Sequence, residues 1–393
     1  MQLPTHPFEF TYNGLDILFG RNRAATLGEL LAEEGLERAL IVCGSNVGAN
    51  DELMDPIKDG LGNRLAGCFD ETTPAKRVET AYDAIDRMHE VDADVLIGVG
   101  GGSSLDVARQ MSVLAADGRS RSDLKAAARE GTFSGLDPTG ESTPVIVVPT
   151  TFAGADVSAG GSLVILSAED SPTGQPITMS ESLMPLANVA DPAAFETSPL
   201  SALEGSAMNG FDKGIETLYA RDGNPFLDAA AVHGLRYLSD AFSNLSTDDP
   251  DVMDRAVLGI LLVQYERKPS IIHAFGHAFA RRYPVQQGHV HAVMAPPVLR
   301  YVLGEVDGIT PKLAEAVGVD PSVDSPIEAV VERIEAVRDS MDVPRRAGEL
   351  SGAKREDIPA LAEFTLEDRM MTQLPADLDP TQAELEAILE AAW

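Results

Sequence analysis

A glycine-rich turn, Gly98-Val-Gly-Gly-Gly-Ser-Ser-Leu-Asp-Val-Ala108, follows an apolar run and opens a helical pattern. Glycines let the backbone turn tightly and approach a ligand closely, and N–H groups at a helix start cradle phosphate. Gly100, Gly101, Gly102, Ser103 and Asp106 are therefore candidates for holding a dinucleotide. No Gly-Lys-Ser/Thr follows, so the turn is not a Walker A loop. A second stretch, Pro149-Thr-Thr-Phe-Ala-Gly-Ala-Asp156, also follows an apolar run, and Thr150, Thr151 and Phe152 join the cofactor candidates. In the second half, His273 and His277 stand one helical turn apart, His289 and His291 follow, and Lys213 lies between Asp212 and Glu216. Imidazoles trade protons near neutral pH, and a positioned lysine can polarise a carbonyl, with a surface salt bridge from Lys213 to Asp212 or Glu216 as the alternative. Arg281 and Arg282 offer planar forks to a substrate carboxylate or phosphate, with pairing to surface acids as the alternative.

These residues need elements to position them. Ala39–Cys43, Asp94–Val99 and Thr143–Val148 are short β-branched runs that read as buried strands. Leu27–Leu36 before the first of them, and Pro74–His89 and Leu105–Ala115 between them, carry helical spacing. Strand alternating with helix predicts a doubly wound, mainly parallel sheet, whose ligands bind at the carboxyl ends of the strands. Gly160–Leu166 reads as a strand of a β-excursion with a polar turn at Ala168–Pro176. From about Pro199 the pattern is helical almost throughout, ending in a capped amphipathic helix within Asp377–Trp393. The division predicted is an α/β nucleotide-binding domain over 1–195 and a helical catalytic domain over 196–393.

Composition excludes several classes. With 62 acidic and 30 basic residues among 393, the formal charge is −32. Such a chain repels nucleic acid and anionic lipid, so neither nucleic acid nor membrane is an expected partner. Only seven residues are lysine, and the heavy acid content with little lysine resembles a salt-adapted, halophilic protein. Two cysteines, Cys43 and Cys68, allow no disulfide framework and no cysteine zinc site, which fits a reducing cytoplasm. The first ten residues carry no signal-peptide pattern, and the apolar run at Ala256–Val263 is too short to span a bilayer.

The motifs GVGGGSSLDVAR (98–109), VPTTFAGAD (148–156), Asp191-Pro192 and the spacing of His273 and His277 resemble the iron-containing (group III) alcohol dehydrogenase family over nearly the whole chain. The resemblance implies a Rossmann-like N-terminal domain with a parallel sheet, an all-α C-terminal domain, and the architecture of dehydroquinate synthase-like proteins. It also implies hydride transfer with NAD(H) or NADP(H) in the cleft between the domains, and a homodimer. Gly44 stands where the family often carries an Asp against the adenosine ribose; its absence removes repulsion of a 2′-phosphate without setting a preference.

In that family a divalent metal is held by an Asp and a His four residues apart and by two further histidines. The resemblance places these positions on Asn209, Lys213, His273 and Gln287. Three of four are changed, and an ammonium repels a divalent cation, so no metal is expected. A fallback set in a shifted register is Asp212, Glu216, His273 and His289. Met208-Asn209, ETLYA (216–220) and Asn224-Pro225 are most similar to the maleylacetate reductase branch, which needs no metal, although that branch keeps histidines where Lys213 and Gln287 stand. The expected activity is a metal-independent NAD(P)H-dependent reduction of a small carbonyl compound, in the manner of a carboxylated, maleylacetate-like substrate. The catalytic set is Lys213, His273, His277 and His291, with Asn209, Arg281 and Arg282 binding substrate. The competing readings are a metal-dependent dehydrogenase with rearranged ligands and a degenerate nucleotide-binding paralogue.

Overall fold

The computed structural model describes residues 8–320 and 322–393, so most of the first ten residues, where no signal-peptide pattern was read, lie outside it. The described residues form two compact units. One comprises 8–151 and 155–198; the other comprises Phe152–Gly154 and Pro199–Trp393.

The first unit is built on a seven-stranded sheet. Its strands are β1 (Phe8–Tyr12), β2 (Leu15–Phe19), β3 (Ala39–Gly44), β4 (Leu65–Thr72), β5 (Val95–Gly100), β6 (Val145–Pro149) and, beyond a small hairpin of β7 (Leu163–Leu166) and β8 (Ile177–Met179), β9 (Ala187–Ala190). The order across the sheet is β1-β2-β9-β6-β5-β3-β4. Among the described residues of this sheet, β1–β2 is the one antiparallel pair; β2–β9, β9–β6, β6–β5, β5–β3 and β3–β4 all run parallel. The longer helices of this unit are α1 (Leu27–Glu33), α2 (Asp51–Leu61), α3 (Val78–Glu90), α4 (Gly102–Asp117) and α5 (Arg121–Glu130).

Alternation explains the continuous apolar runs. Leu40, Val42, Leu96, Val145 and Val147 pack on one face of the sheet, while Ile41, Cys43, Ile97, Val99, Ile146 and Val148 pack on the other. A parallel sheet covered on both sides must be apolar on both sides. The strand readings at 39–43, 94–99 and 143–148 follow from this. The sequence reading did not find β1, β2, β4 or β9. β4 is largely half-buried and carries Asp70 and Glu71, which hides its strand character. β9 is four residues long, with a buried Asn188 in its middle.

The second unit is helical: α6 (Leu200–Tyr219), α7 (Pro225–Phe242), α8 (Pro250–Gln264), α9 (Ile271–Arg282), α10 (Gln287–Glu305), α11 (Thr310–Val317), α12 (Pro326–Asp339), α13 (Ile358–Leu366) and α14 (Gln382–Ala392). Proline at the first helical turn with Asn224 and Asp249 as side-chain caps fixes the starts of α7 and α8. Thr381 and Glu384 form a capping box at the start of α14. Phe211, Phe242, Phe275 and Phe279 fill the interior of this unit. Among the described residues no helix is long and apolar enough to cross a membrane.

Candidate active site

The glycine turn closes β5 and opens α4. Gly100 takes φ +124°, a conformation glycine alone adopts readily. A Cβ on Gly101 would lie 3.2 Å from Thr151 Cγ2, and one on Gly102 would lie 3.2 Å from Ala155 Cβ. The start of α4 carries no side-chain cap, so its N–H groups are left to a ligand, and the 16-residue helix adds its dipole. Gly100, Gly101, Gly102, Ser103 and Thr151 thus make a glycine cradle that could hold a dinucleotide pyrophosphate. Gly44 ends β3, where a Cβ would lie 3.1 Å from the Thr72 carbonyl oxygen. Thr72 Oγ1 in turn meets Ser104 Oγ at 2.7 Å behind the turn. Thr150 is buried, and its carbonyl accepts from Ser198 Oγ.

Two cofactor candidates are placed differently from expectation. Asp106 accepts from Lys76 Nζ (2.9 Å), Arg109 Nη2 (2.7 Å) and the Ser162 N–H (3.3 Å). Its carboxylate ties the glycine helix to the turn at Lys76 and the segment at Ser162, and these contacts are all with the scaffold. Phe152 belongs to the helical unit, where its ring is fully buried and lies 5.2 Å from that of Phe242. Its role is packing.

The helical unit gathers most of the remaining candidates. Lys213, near the middle of α6, is 7% exposed, and its Nζ donates to the Ala153 carbonyl at 2.5 Å. Gln264 is the second neighbour of Lys213 within the same unit. Oriented to satisfy both neighbours, its amide oxygen accepts from Lys213 at 3.2 Å and its nitrogen donates to the Gly154 carbonyl at 3.1 Å. Gly154 is held at φ +68° against this amide, where a Cβ would overlap the Gln264 amide group at 1.7 Å.

His273 Nδ1 is hydrogen-bonded to Glu216 Oε2, while Glu216 Oε1 accepts the N–H groups of Ile272 (2.7 Å) and His273 (3.2 Å). Glu216 thus caps α9 and orients its first histidine. Burial pushes the Glu216 carboxyl up to about 8, against the lowering pull of those N–H groups. Burial, then the charge of Lys213, pushes His273 well below the ordinary imidazole range. Both groups are therefore neutral at pH 7, and His273 Nε2 has no hydrogen-bond partner among the described residues.

His291 on α10 packs edge-on against His273, ring centroids 4.3 Å apart, with Nδ1 3.5 Å from Asp212 Oδ2. Both side chains are fully buried. Burial, then Glu216, raises the Asp212 carboxyl well above its ordinary range, and burial drives His291 well below its own. Asn209 Nδ2 reaches Gln287 Oε1 at 3.4 Å. His277 Nδ1 meets Asp368 Oδ2 at 2.9 Å.

Not every candidate joins this group. Arg282 pairs with Asp357 at 2.5 Å, and Arg281 lies 4.3 Å over the Phe364 ring, so the two guanidiniums serve contacts within the unit. His289 lies against Gly205, not beside Asp212. The fallback ligand set is therefore not assembled: Glu216 is committed to α9, and His291 holds the place beside Asp212. Sequence reasoning missed Gln264 and Asp368. Gln264 carried a signal, a lone amide ending the apolar run GILLVQ; Asp368 carried none in so acidic a chain.

Comparison with known proteins shows the family. Residues 15–192 match the model of iron-containing alcohol dehydrogenase, and residues 205–393 match that of the Fe-containing alcohol dehydrogenase family, C-terminal. The chain belongs to the iron-containing alcohol dehydrogenase family. It is thereby an oxidoreductase by class. Its relatives include the NAD-dependent methanol dehydrogenase of Bacillus methanolicus, 23% identical over 89% of this chain and 91% of that protein. Maleylacetate reductase 1 of Cupriavidus pinatubonensis is 24% identical over 96% of each. In fold, the chain resembles the alcohol dehydrogenase of an archaeal halo-thermophile from a Red Sea brine pool, with TM-score 0.80, 19% identity, and all of both chains covered.

The family name implies iron, and the donors here do not suit it. The positions that the sequence resemblance assigns to its ligands, Asn209, Lys213, His273 and Gln287, carry two amides, an ammonium and one imidazole. Neutral amides are weak ligands, and Lys213 repels a divalent cation. Among the described residues no three His, Cys, Asp or Glu side chains converge as a metal-holding group.

Proposed function

We propose that this family member reduces a small carbonyl compound with NADH or NADPH without a divalent metal, using the Lys213 ammonium as electrophile. The observation that supports this is a buried cation, fixed by Ala153 and Gln264, at the family's ligand position on α6. The nicotinamide, when bound, supplies hydride to the carbonyl carbon. This chain's part is to stabilise the negative charge that develops on the oxygen. A positioned cation in a water-poor site does this without reorganising in the transition state. His273 Nε2, without a hydrogen-bond partner among the described residues and within electrostatic reach of Lys213, offers a second contact for the same oxygen when it carries the ring hydrogen. His277, one turn along α9 and one-third exposed, returns the proton from solvent. Asn209 and Gln287 offer amides to the rest of the substrate. A carboxylated carbonyl compound suits this neutral-to-positive lining, as maleylacetate suits the reductase relatives.

The test pairs elemental analysis with turnover. Protein purified in molar salt is assayed for divalent metal and for NADH and NADPH oxidation with lactaldehyde and maleylacetate, with and without chelator. Metal-free protein with chelator-insensitive turnover supports the proposal. Stoichiometric metal with chelator-sensitive turnover overturns it in favour of a rearranged ligand set around Asp212 and His291. Cofactor binding with no turnover on any substrate points to a degenerate paralogue.

A further inference from the structure

His277 and Asp368 make a contact that neither the family models nor the relatives' names assign. The two lie 91 residues apart, on α9 and in the turn after α13. His277 Nδ1 and Asp368 Oδ2 are 2.9 Å apart, with side-chain exposures of 33% and 17%. The second oxygen, Oδ1, accepts the Met370 N–H at 2.8 Å and caps the short 3₁₀ turn Arg369–Gln373. The Asp368 N–H in turn donates to the Thr365 carbonyl at 3.1 Å. Both carboxylate oxygens and the backbone of this residue are thus fixed, so its direction is set by the fold. Burial works against the carboxylate, but the His277 hydrogen bond and the Met370 N–H outweigh it and hold Asp368 below its ordinary range.

We infer that Asp368 is a positioning residue for the proton-transfer step, holding the His277 ring in the tautomer that carries hydrogen on Nδ1. An ionised carboxylate can only accept, so the Nδ1 it contacts must carry the proton. The neutral ring then has its lone pair on Nε2. In the reducing direction the Nε2–H of the imidazolium gives its proton to the substrate oxygen as the C–H bond forms. The ring returns to the neutral form with Nδ1–H still on Asp368 and regains a proton at Nε2 from water. The opposite tautomer would place a lone pair against the carboxylate. This inference rests on the reading of His277 as the proton donor.

The test is Asp368→Asn, which keeps an oxygen for the Met370 N–H and so keeps the turn. The first readout needs no substrate. With ¹⁵N-labelled histidine, two-bond ¹⁵N–¹H correlations report each ring's tautomer, and His277→Ala assigns the signal among seven histidines. The wild type is expected to show the Nδ1–H tautomer, and Asp368→Asn a mixture or the Nε2–H form. Finding Nε2–H in the wild type overturns the inference. The second readout is steady-state reduction of whichever of lactaldehyde and maleylacetate turns over faster. Asp368→Asn is expected to lower kcat by tenfold or more, with KM for substrate and cofactor within twofold. The double variant with His277→Ala is expected to be no slower than His277→Ala alone. A kcat for Asp368→Asn within twofold of wild type, while His277→Ala is slow, overturns the positioning role and leaves the His277 reading standing. Unchanged turnover in His277→Ala removes that reading itself.

Discussion

Replacing Lys213 by methionine tests the proposed electrophile with little change in volume. Two effects are expected, and they separate. The first is on stability. The Ala153 carbonyl loses its donor at 2.5 Å and Gln264 loses a partner at 3.2 Å. An unsatisfied buried acceptor costs about 1–3 kcal/mol, part of which is recovered because a buried charge is no longer desolvated. A modest fall in melting temperature with an intact fold is therefore expected. The second is on the chemical step. Removing one preorganised donor to a developing oxyanion costs about 2.7–4 kcal/mol, or roughly 10²–10³ in kcat. The assay is NADPH or NADH oxidation under saturating cofactor, with cofactor binding measured separately by nicotinamide fluorescence. Cofactor affinity should hold, because the glycine cradle lies in the other unit. Lys213 also repels the proton from His273, so the variant should let His273 protonate more readily. Turnover within threefold of wild type in a folded, cofactor-binding Lys213→Met protein would refute the assignment.

Three further outcomes follow from the same geometry. Gly154→Ala should place a side chain at φ +68° and drive the Gln264 amide from its position beside Lys213; a loss of about 1 kcal/mol and a fall in kcat are expected, read by denaturation and turnover together. Glu216 is raised from an ordinary 4.5 to about 8, so its protonated form is favoured on folding; that stability is complete below pH 4.5 and is lost as pH rises through 8. Glu216→Gln, which mimics the protonated acid, should therefore gain on the wild type across that window in urea titrations, and a constant difference would show the carboxyl to be ionised throughout. Rebuilding the family's ligands with Asn209→Asp, Lys213→His and Gln287→His beside His273 should bring stoichiometric divalent metal into the purified protein, measured by elemental analysis.

Much of this was legible in the sequence, for identifiable reasons. The strands β3, β5 and β6 were readable because both faces of a parallel sheet are buried, so no polar residue interrupts them. The glycine turn was readable because its chemistry is local: a strand, three glycines and a helix start. The helical cluster was only half readable. Lys213, His273 and His291 announced themselves by type, and the i, i+4 spacing set His273 and His277 on one face. What they touch was not local. Asp368 reaches His277 across 91 residues, and Glu216 reaches His273 across 57. Phe152 and Asp106 show the converse error. Each sits inside a motif that suggests ligand contact, yet a fully buried ring and a carboxylate engaged by Lys76, Arg109 and Ser162 serve the scaffold instead.

The substitutions at the ligand positions make sense only as a set. A divalent cation beside one aspartate carries one net positive charge; Lys213 among Asn209, Gln287 and a neutral His273 carries the same. On the proposed reading the charge presented to the substrate oxygen is retained while its carrier changes from an ion to a tethered ammonium. The tether then needs its own support, and Ala153 and Gln264 supply neutral acceptors that fix Lys213 without cancelling its charge. An acid in the same place would cancel it. Asn209 lies one helical turn before Lys213 on α6, where an Asp would pair with the ammonium. Asn209→Asp alone should therefore lower turnover, by quenching the electrophile, and should bring no metal with it. Only when Lys213→His accompanies it does the same aspartate become a ligand. A change that is harmful alone and constructive in combination is the signature expected if these positions exchanged one cation for another; equal turnover in wild type and Asn209→Asp would argue that Lys213 never faced the substrate.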